Sequence, residues 1–273
     1  MQRAVTAAID LEIASSVDLV LSVAVATSVP LVREELTFVQ DGRPLAVREL
    51  VDSAGSRLHR LQGEAGMLEI RYAAVVDDAP VPPAAVDELE VVTYLRPSRY
   101  CPSDELFDQA RRRFRGLAGR ELVDAVTDFV ATSTTYTPGL SQGTDSAVTT
   151  LTTGQGVCRD YAHLVIALLR AMDVPARYAS CYAPGLDPMD FHAVAEAHLD
   201  GAWRVLDATR LADRSSLVRI ATGRDAADCA FLSYHGAHLT LPRLEVDAWL
   251  EGPDGRVAPD AAAADHRALL RLA

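Results

Sequence analysis

With 273 residues, 49% of them hydrophobic and 23% charged, the chain is long and apolar enough to bury a sizeable core in two domains, which excludes the disordered and repetitive classes. Its 26 basic and 38 acidic side chains leave a formal charge of −12, which argues against a nucleic-acid backbone or an anionic membrane surface as partner. Every basic residue is arginine, so self-cross-linking through a lysine amine is excluded.

Residues 1–29 are apolar enough to raise the question of a signal peptide, but Asp10, Glu12 and Asp18 interrupt them. Val5, Ala7, Ile9, Leu11 and Ile13 alternate with polar or small residues, and Val17, Leu19, Leu21, Val23 and Val25 repeat the pattern. That period predicts strands buried on one side. No targeting or membrane-spanning segment is read, and Cys101, Cys158, Cys181 and Cys229 lack C-x-x-C spacing. The expectation is a reducing, bacterial-type cytoplasm with free thiols, and neither a zinc ribbon nor a redox dithiol. Leu36 and Phe38 lead to a turn at Asp41-Gly42, and Leu68, Ile70, Tyr72 and Ala74 alternate before the turn-rich 77–83. Short strands without a convincing long helix predict a β-sandwich-like domain over 1–95.

Ser103 reads as an N-cap for a helix ending about Arg115, where Gly116 and Gly119 break it. Leu122, Val123, Val126, Phe129 and Val130 mark a second amphipathic helix to about Ser133, and the Thr-, Ser- and Gly-rich 134–153 reads as a long connection. Beyond Gly154, Gln155, Gly156 and Val157, the spacing of Tyr161, Ala162, Leu164, Val165, Leu168, Leu169 and Met172 predicts a helix that stops by Asp173 or Val174, ahead of Pro175. Cys158 then lies in its first turn, where unpaired N–H groups favour a thiolate and can hold an oxyanion.

Residues 176–183 read as a strand, and 191–199 and 202–209 flank Asp200-Gly201, the signature of a type I′ hairpin. Pairing Leu199 with Ala202 sets His198 opposite Trp203, Glu196 opposite Val205, Val194 opposite Asp207 and His192 opposite Thr209. His192 and Asp207 become diagonal neighbours on one face, within reach tip to tip. After Asp207, residues 238–249 read as a closing strand, 252–255 as a turn and 260–273 as a surface helix or frayed tail.

The runs GQGVCRDYAHLVIALLRAMDVPARY and FHAVAEAHLDGAWRVLDAT resemble the transglutaminase-like superfamily, whose members carry a G-x-C-x-(D/E)-x-A helix start, an H-A-(W)-x-E strand and a D-(P)-T strand end in this order. The resemblance covers about a quarter of the chain. Val194 stands where the family often has tryptophan and Ala208 where it often has proline; both are packing positions. It implies an α+β fold in which a β-sandwich-like domain, 1–95, precedes a papain/transglutaminase-like core, 96–250, with a catalytic helix on an antiparallel sheet and a tail at 251–273. It further implies Cys158 as nucleophile, His192 as base and acid, and Asp207 as the group orienting the histidine. YLRPSRYCPSDEL at 94–106 and GRDAADCAFLSYHG at 223–236 also resemble bacterial members, the second without a derivable role.

Each of these residues has a plainer reading. A lone cysteine at a helix start is usually a small buried hydrophobe, as Cys101, Cys181 and Cys229 are expected to be. His163 lies about 140° around the helix from Cys158 and is read as structural. Asp160 is a first-turn capping acid, Glu196 bonds locally or lines the cleft, and Tyr136 and Gln155 are candidates for a second oxyanion donor. A metal site from His192, His198 and Asp207, or from His235 and His238, lacks ligand spacing. The expected chemistry is cofactor-free acyl transfer on a peptide or amide-containing substrate, with water as acceptor. The alternatives are a transamidase, a zinc-dependent hydrolase and an inactive binding module of the same fold.

Overall fold

The computed structural model describes residues 1–79, 86–236 and 238–272. Alternation at the start of the chain becomes β1 (Gln2–Ile13) and β2 (Val17–Leu21), whose odd-numbered apolar residues are buried. They enter different sheets. Then come β3 (Leu31–Gln40), β4 (Arg43–Pro44), β5 (Arg48–Val51), β6 (Arg57–Gly63) and β7 (Gly66–Val76). The β3–β4 hairpin turns at Asp41-Gly42, both at positive φ. Of the turn expected at 77–83, residues 80–83 lie outside the described residues.

A short helix that the sequence pattern does not announce, α1 (Glu88–Thr93), follows, started by Asp87 accepting from the Leu89 N–H at 3.0 Å. The helix expected from Ser103 begins four residues later as α2 (Phe107–Arg113), with no side-chain cap. Ser103 is buried and its N–H is used on the Cys101 carbonyl, so a tight turn takes the place of the first helical turn. The amphipathic α3 (Gly119–Ser133) buries Leu122, Val123, Val126 and Val130 as its spacing predicts. The connection after it holds β8 (Thr135–Tyr136) and α4 (Ala147–Thr153). Propensity hides α4 because β-branched Thr and Val are poor helix formers. Here the hydroxyls of Thr150, Thr152 and Thr153 bond back to carbonyls four residues earlier, and the helix packs against its successor.

The core is built from β9 (Gln155–Gly156), α5 (Cys158–Ala171), β10 (Ala176–Tyr182), β11 (His192–Leu199), β12 (Ala202–Leu206) and β13 (Val218–Gly223). The sheet is antiparallel in the order β12-β11-β10-β13, and α5, buried from Asp160 to Ala171, packs on β10 and β11. This is the α+β architecture expected, with a helix on an antiparallel sheet.

The chain then returns to the first domain through β14 (Leu232–His235), β15 (Leu239–Gly252) and β16 (Gly255–Val257). The expected closing strand of the core, β15, instead pairs with β1 from Gln2↔Glu251 to Ile13↔Leu239. One sandwich sheet runs β16-β15-β1-β7-β3-β4 and the other β14-β2-β6-β5, so both take strands from the last quarter of the chain. Alternation specifies a strand and its buried face but not its partner. Residues 260–272 are neither a surface helix nor frayed. After a single 3-10 turn at Ala261–Ala263 they run along the core sheet, where the Leu270 carbonyl accepts from the Val205 N–H at 3.0 Å. Arg214 holds the carbonyls of Asp265 and Ala268, Arg219 that of Leu272, and the Leu272 side chain is buried. No helix among the described residues is long and apolar enough to cross a membrane.

Candidate active site

Cys158 is the first residue of α5, delivered by a backbone path with no slack. Gly154 ends α4 at φ 67°, a left-handed value that suits glycine. Gln155 and Gly156 pair in parallel with Thr135 and Tyr136. At Gly156 a Cβ would lie 2.6 Å from the Asp160 Cβ, so only glycine fits. Asp160 is buried and accepts from the Val157 N–H at 2.8 Å, while Arg159 binds its other oxygen and the Gln142 carbonyl. It is the capping acid expected. The Cys158 Sγ lies 4.0 Å from the Phe191 carbonyl, one residue before His192.

The hairpin register follows the Asp200-Gly201 turn: Leu199↔Ala202, His198↔Trp203 and Glu196↔Val205 pair, with both turn residues at positive φ. The ladder stops at Leu206, leaving Asp207 to turn toward His192. His192 Nε2 and Asp207 Oδ2 are 2.8 Å apart and both residues are buried. Asp207 Oδ1 accepts from the N–H and hydroxyl of Thr209 at 2.9 and 2.6 Å. Burial alone would raise this carboxyl, yet His192 and Thr209 hold it below its ordinary value. Burial likewise opposes charge on His192, but Asp207 and then Cys158 outweigh it and push the ring up to about 10. With Nε2 taken by Asp207, the nitrogen left for the thiol is Nδ1, which has no hydrogen-bond partner among the described residues.

Of the two residues considered as a further donor, Tyr136 reaches the site and Gln155 is exposed. Pairing of β8 with β9 sets the Tyr136 hydroxyl beside the backbone N–H and thiol of Cys158. Burial, followed by the Cys158 charge, raises the phenol. Asp190, two residues before His192 and exposed, enters the same neighbourhood with no other signal in the sequence; desolvation by its surroundings raises its carboxyl.

Glu196 does not line the Cys158 cleft. It is fully buried and clamped at 2.8 Å by Arg177 Nε, Arg219 Nη1 and Arg219 Nη2, and although burial opposes its charge, these two guanidiniums bring it down to about 2. His163 is structural as expected: its Nε2 accepts from the Ala226 N–H at 3.1 Å, and burial lowers it to about 3. The same loop explains GRDAADC. Asp225 accepts from the N–H groups of Tyr100 and Ala227, and the Arg224 carbonyl binds Arg170 of α5, so the loop fastens 94–101 to the helix carrying Cys158. Cys101, Cys181 and Cys229 are buried free thiols. His198 packs against Trp203 with the rings tilted 58° to each other, and among the described residues no three His, Cys, Asp or Glu side chains converge as a metal-binding set.

Residues 111–208 match the family described as transglutaminase-like superfamily. A crystal structure from Cytophaga hutchinsonii, of a protein provisionally described as a cysteine protease, is 33% identical with TM-score 0.83, over 95% of this chain and 92% of its own. The chain belongs to the transglutaminase-like superfamily. The likeness to this structure takes in the sandwich as well as the transglutaminase-like core. The uncharacterized protein ML0607 of Mycobacterium leprae is 28% identical over 156 residues, 54% of this chain, and the match spans only 55% of that protein. The periplasmic domain of TgpA from Pseudomonas aeruginosa is similar at 18% identity and TM-score 0.39, over 73% of this chain and 91% of its own.

Proposed function

We propose that Cys158, His192 and Asp207 act as a catalytic triad for acyl transfer on amide bonds through a thioester. The observation that carries this reading is the buried His192–Asp207 pair, whose one free ring nitrogen is left to the thiol at the start of α5. The description of the Cytophaga hutchinsonii neighbour as a cysteine protease is in keeping with it.

The Cys158 thiolate attacks the amide carbon, and the oxyanion is held by the Cys158 N–H and the Tyr136 hydroxyl. Collapse breaks the C–N bond. The leaving amine takes its proton from the His192 imidazolium, which the Asp207 carboxylate has kept protonated and oriented. The neutral ring then takes a proton from water as its oxygen attacks the thioester, and Cys158 departs as thiolate. With water the enzyme is a peptidase or amidase. An amine acceptor in place of water would make it a transamidase, and the products distinguish the two.

Cys158→Ala is expected to abolish release of amine from a peptide library and iodoacetamide labelling at this position, with the fold retained by circular dichroism. Turnover that persists in the variant rejects the reading.

A further inference from the structure

The mouth of the candidate site carries a charge that the triad does not use. Asp190 is exposed, and its Oδ1 accepts from the Phe191 N–H at 2.7 Å. The carbonyl of that same Phe191 lies 4.0 Å from the Cys158 Sγ. A single residue of backbone thus separates the two contacts, which keeps the carboxylate within about 10 Å of the nucleophile. Immediately beyond, β11 fixes the segment in the sheet, starting at His192.

No cation of the chain neutralises this carboxylate. Its Oδ2 has no hydrogen-bond or ion-pair partner among the described residues. Arg159, next to the thiol in sequence, is committed to Asp160, the Ser141 hydroxyl and the Gln142 carbonyl. His192 gives Nε2 to Asp207. Asp187, three residues earlier, is exposed and of the same sign. Desolvation by the surroundings raises the Asp190 carboxyl, a cost that a cation bound beside it offsets. The bond to Phe191 needs one oxygen and no charge, so asparagine would hold the backbone equally well. The charge itself is free to take a guanidinium or ammonium through a charge-assisted hydrogen bond and to repel a substrate carboxylate.

We propose that Asp190 determines specificity, its carboxylate receiving a cationic side chain, arginine or lysine, next to the scissile amide of the substrate. Resting on the reading of Cys158 as nucleophile, this names basic peptides as the substrate class. Two measurements test it, and the first needs no turnover. At one pH, Cys158 is modified with the cationic trimethylammonioethyl methanethiosulfonate and with the neutral methyl reagent; the thiolate displaces methanesulfinate from each and forms a mixed disulfide. The other three thiols are buried. The ratio of the two rates cancels the thiolate fraction, and Asp190→Asn, which keeps an oxygen for the Phe191 N–H, is expected to lower it about fivefold. In the second, a lysine-free peptide library is compared with its copy carrying citrulline, of the same shape but uncharged, in place of arginine. The wild type is expected to favour arginine about tenfold in kcat/KM on one side of the cleaved bond, and Asp190→Asn to reduce the preference to about twofold. A rate ratio unchanged in Asp190→Asn overturns the proposal, as does an arginine preference that is absent from the wild type or survives the substitution. A ratio that falls as expected while no peptide is hydrolysed supports the anionic subsite and rejects hydrolysis by the triad.

Discussion

Asp207→Asn strikes the centre of the proposed triad. The carboxylate is 2.8 Å from His192 Nε2 in a buried pair, and its charge is the principal influence that, against burial, pushes the ring from its ordinary 6.5 up to about 10. Without it, burial becomes the larger effect and the ring falls to its ordinary value or lower. At about 1.4 kcal/mol per pH unit, the gap amounts to at most about 5 kcal/mol. The imidazole is then neutral at neutral pH and has no proton to give the leaving amine. Amide hydrolysis is expected to drop about a thousandfold to ten-thousandfold, the scale of losing the orienting carboxylate from such a triad. Stability supplies a second readout. Because the folded ring titrates above its unfolded value, the pair's contribution is complete below about pH 6.5 and is lost as pH rises toward about 10. Urea midpoints of the wild type should fall across that window, and those of Asp207→Asn should stay flatter. Hydrolysis within tenfold of wild type, or the same slope in both proteins, would refute the reasoning.

Glu196→Gln leaves two buried guanidiniums without their shared carboxylate. The drop from 4.5 to about 2 corresponds to about 3 kcal/mol, present above about pH 4.5 and lost as pH falls toward 2. Urea unfolding at neutral pH measures it, and a loss under about 1 kcal/mol counts against the hub. In Gly156→Ala the new Cβ, 2.6 Å from that of Asp160, displaces the cap under Cys158. Stability should fall by about 1–3 kcal/mol and alkylation of Cys158 should slow, whereas an unchanged alkylation rate means the cap does not position the thiol. Tyr136→Phe removes the hydroxyl beside the Cys158 N–H and is expected to lower kcat about a hundredfold with KM little changed; a change confined to KM assigns Tyr136 to substrate binding.

Local chemistry determined much of this in the sequence itself. Three-and-four spacing defined α5, Pro175 bounded it, and the Asp200-Gly201 turn fixed the β11–β12 register as far as Ala195↔Leu206; the approach of Asp207 to His192 was legible too, although the pairs expected beyond, Val194 with Asp207 and His192 with Thr209, do not form. These features depend on neighbours within a turn or a hairpin, where period and φ preference leave few choices. What brings Cys158 to His192, Tyr136 to Cys158 and β15 to β1 is different in kind. Those meetings join segments up to about 250 positions apart, and alternation says which face of each is buried but not what buries it. The Thr-rich α4 and the tail along β12 likewise exist because backbone groups and leucines find partners elsewhere in the molecule. Only packing the sandwich, helix and core sheet together selects those partners, since that is when each apolar face and each orphan N–H or carbonyl must be satisfied at once.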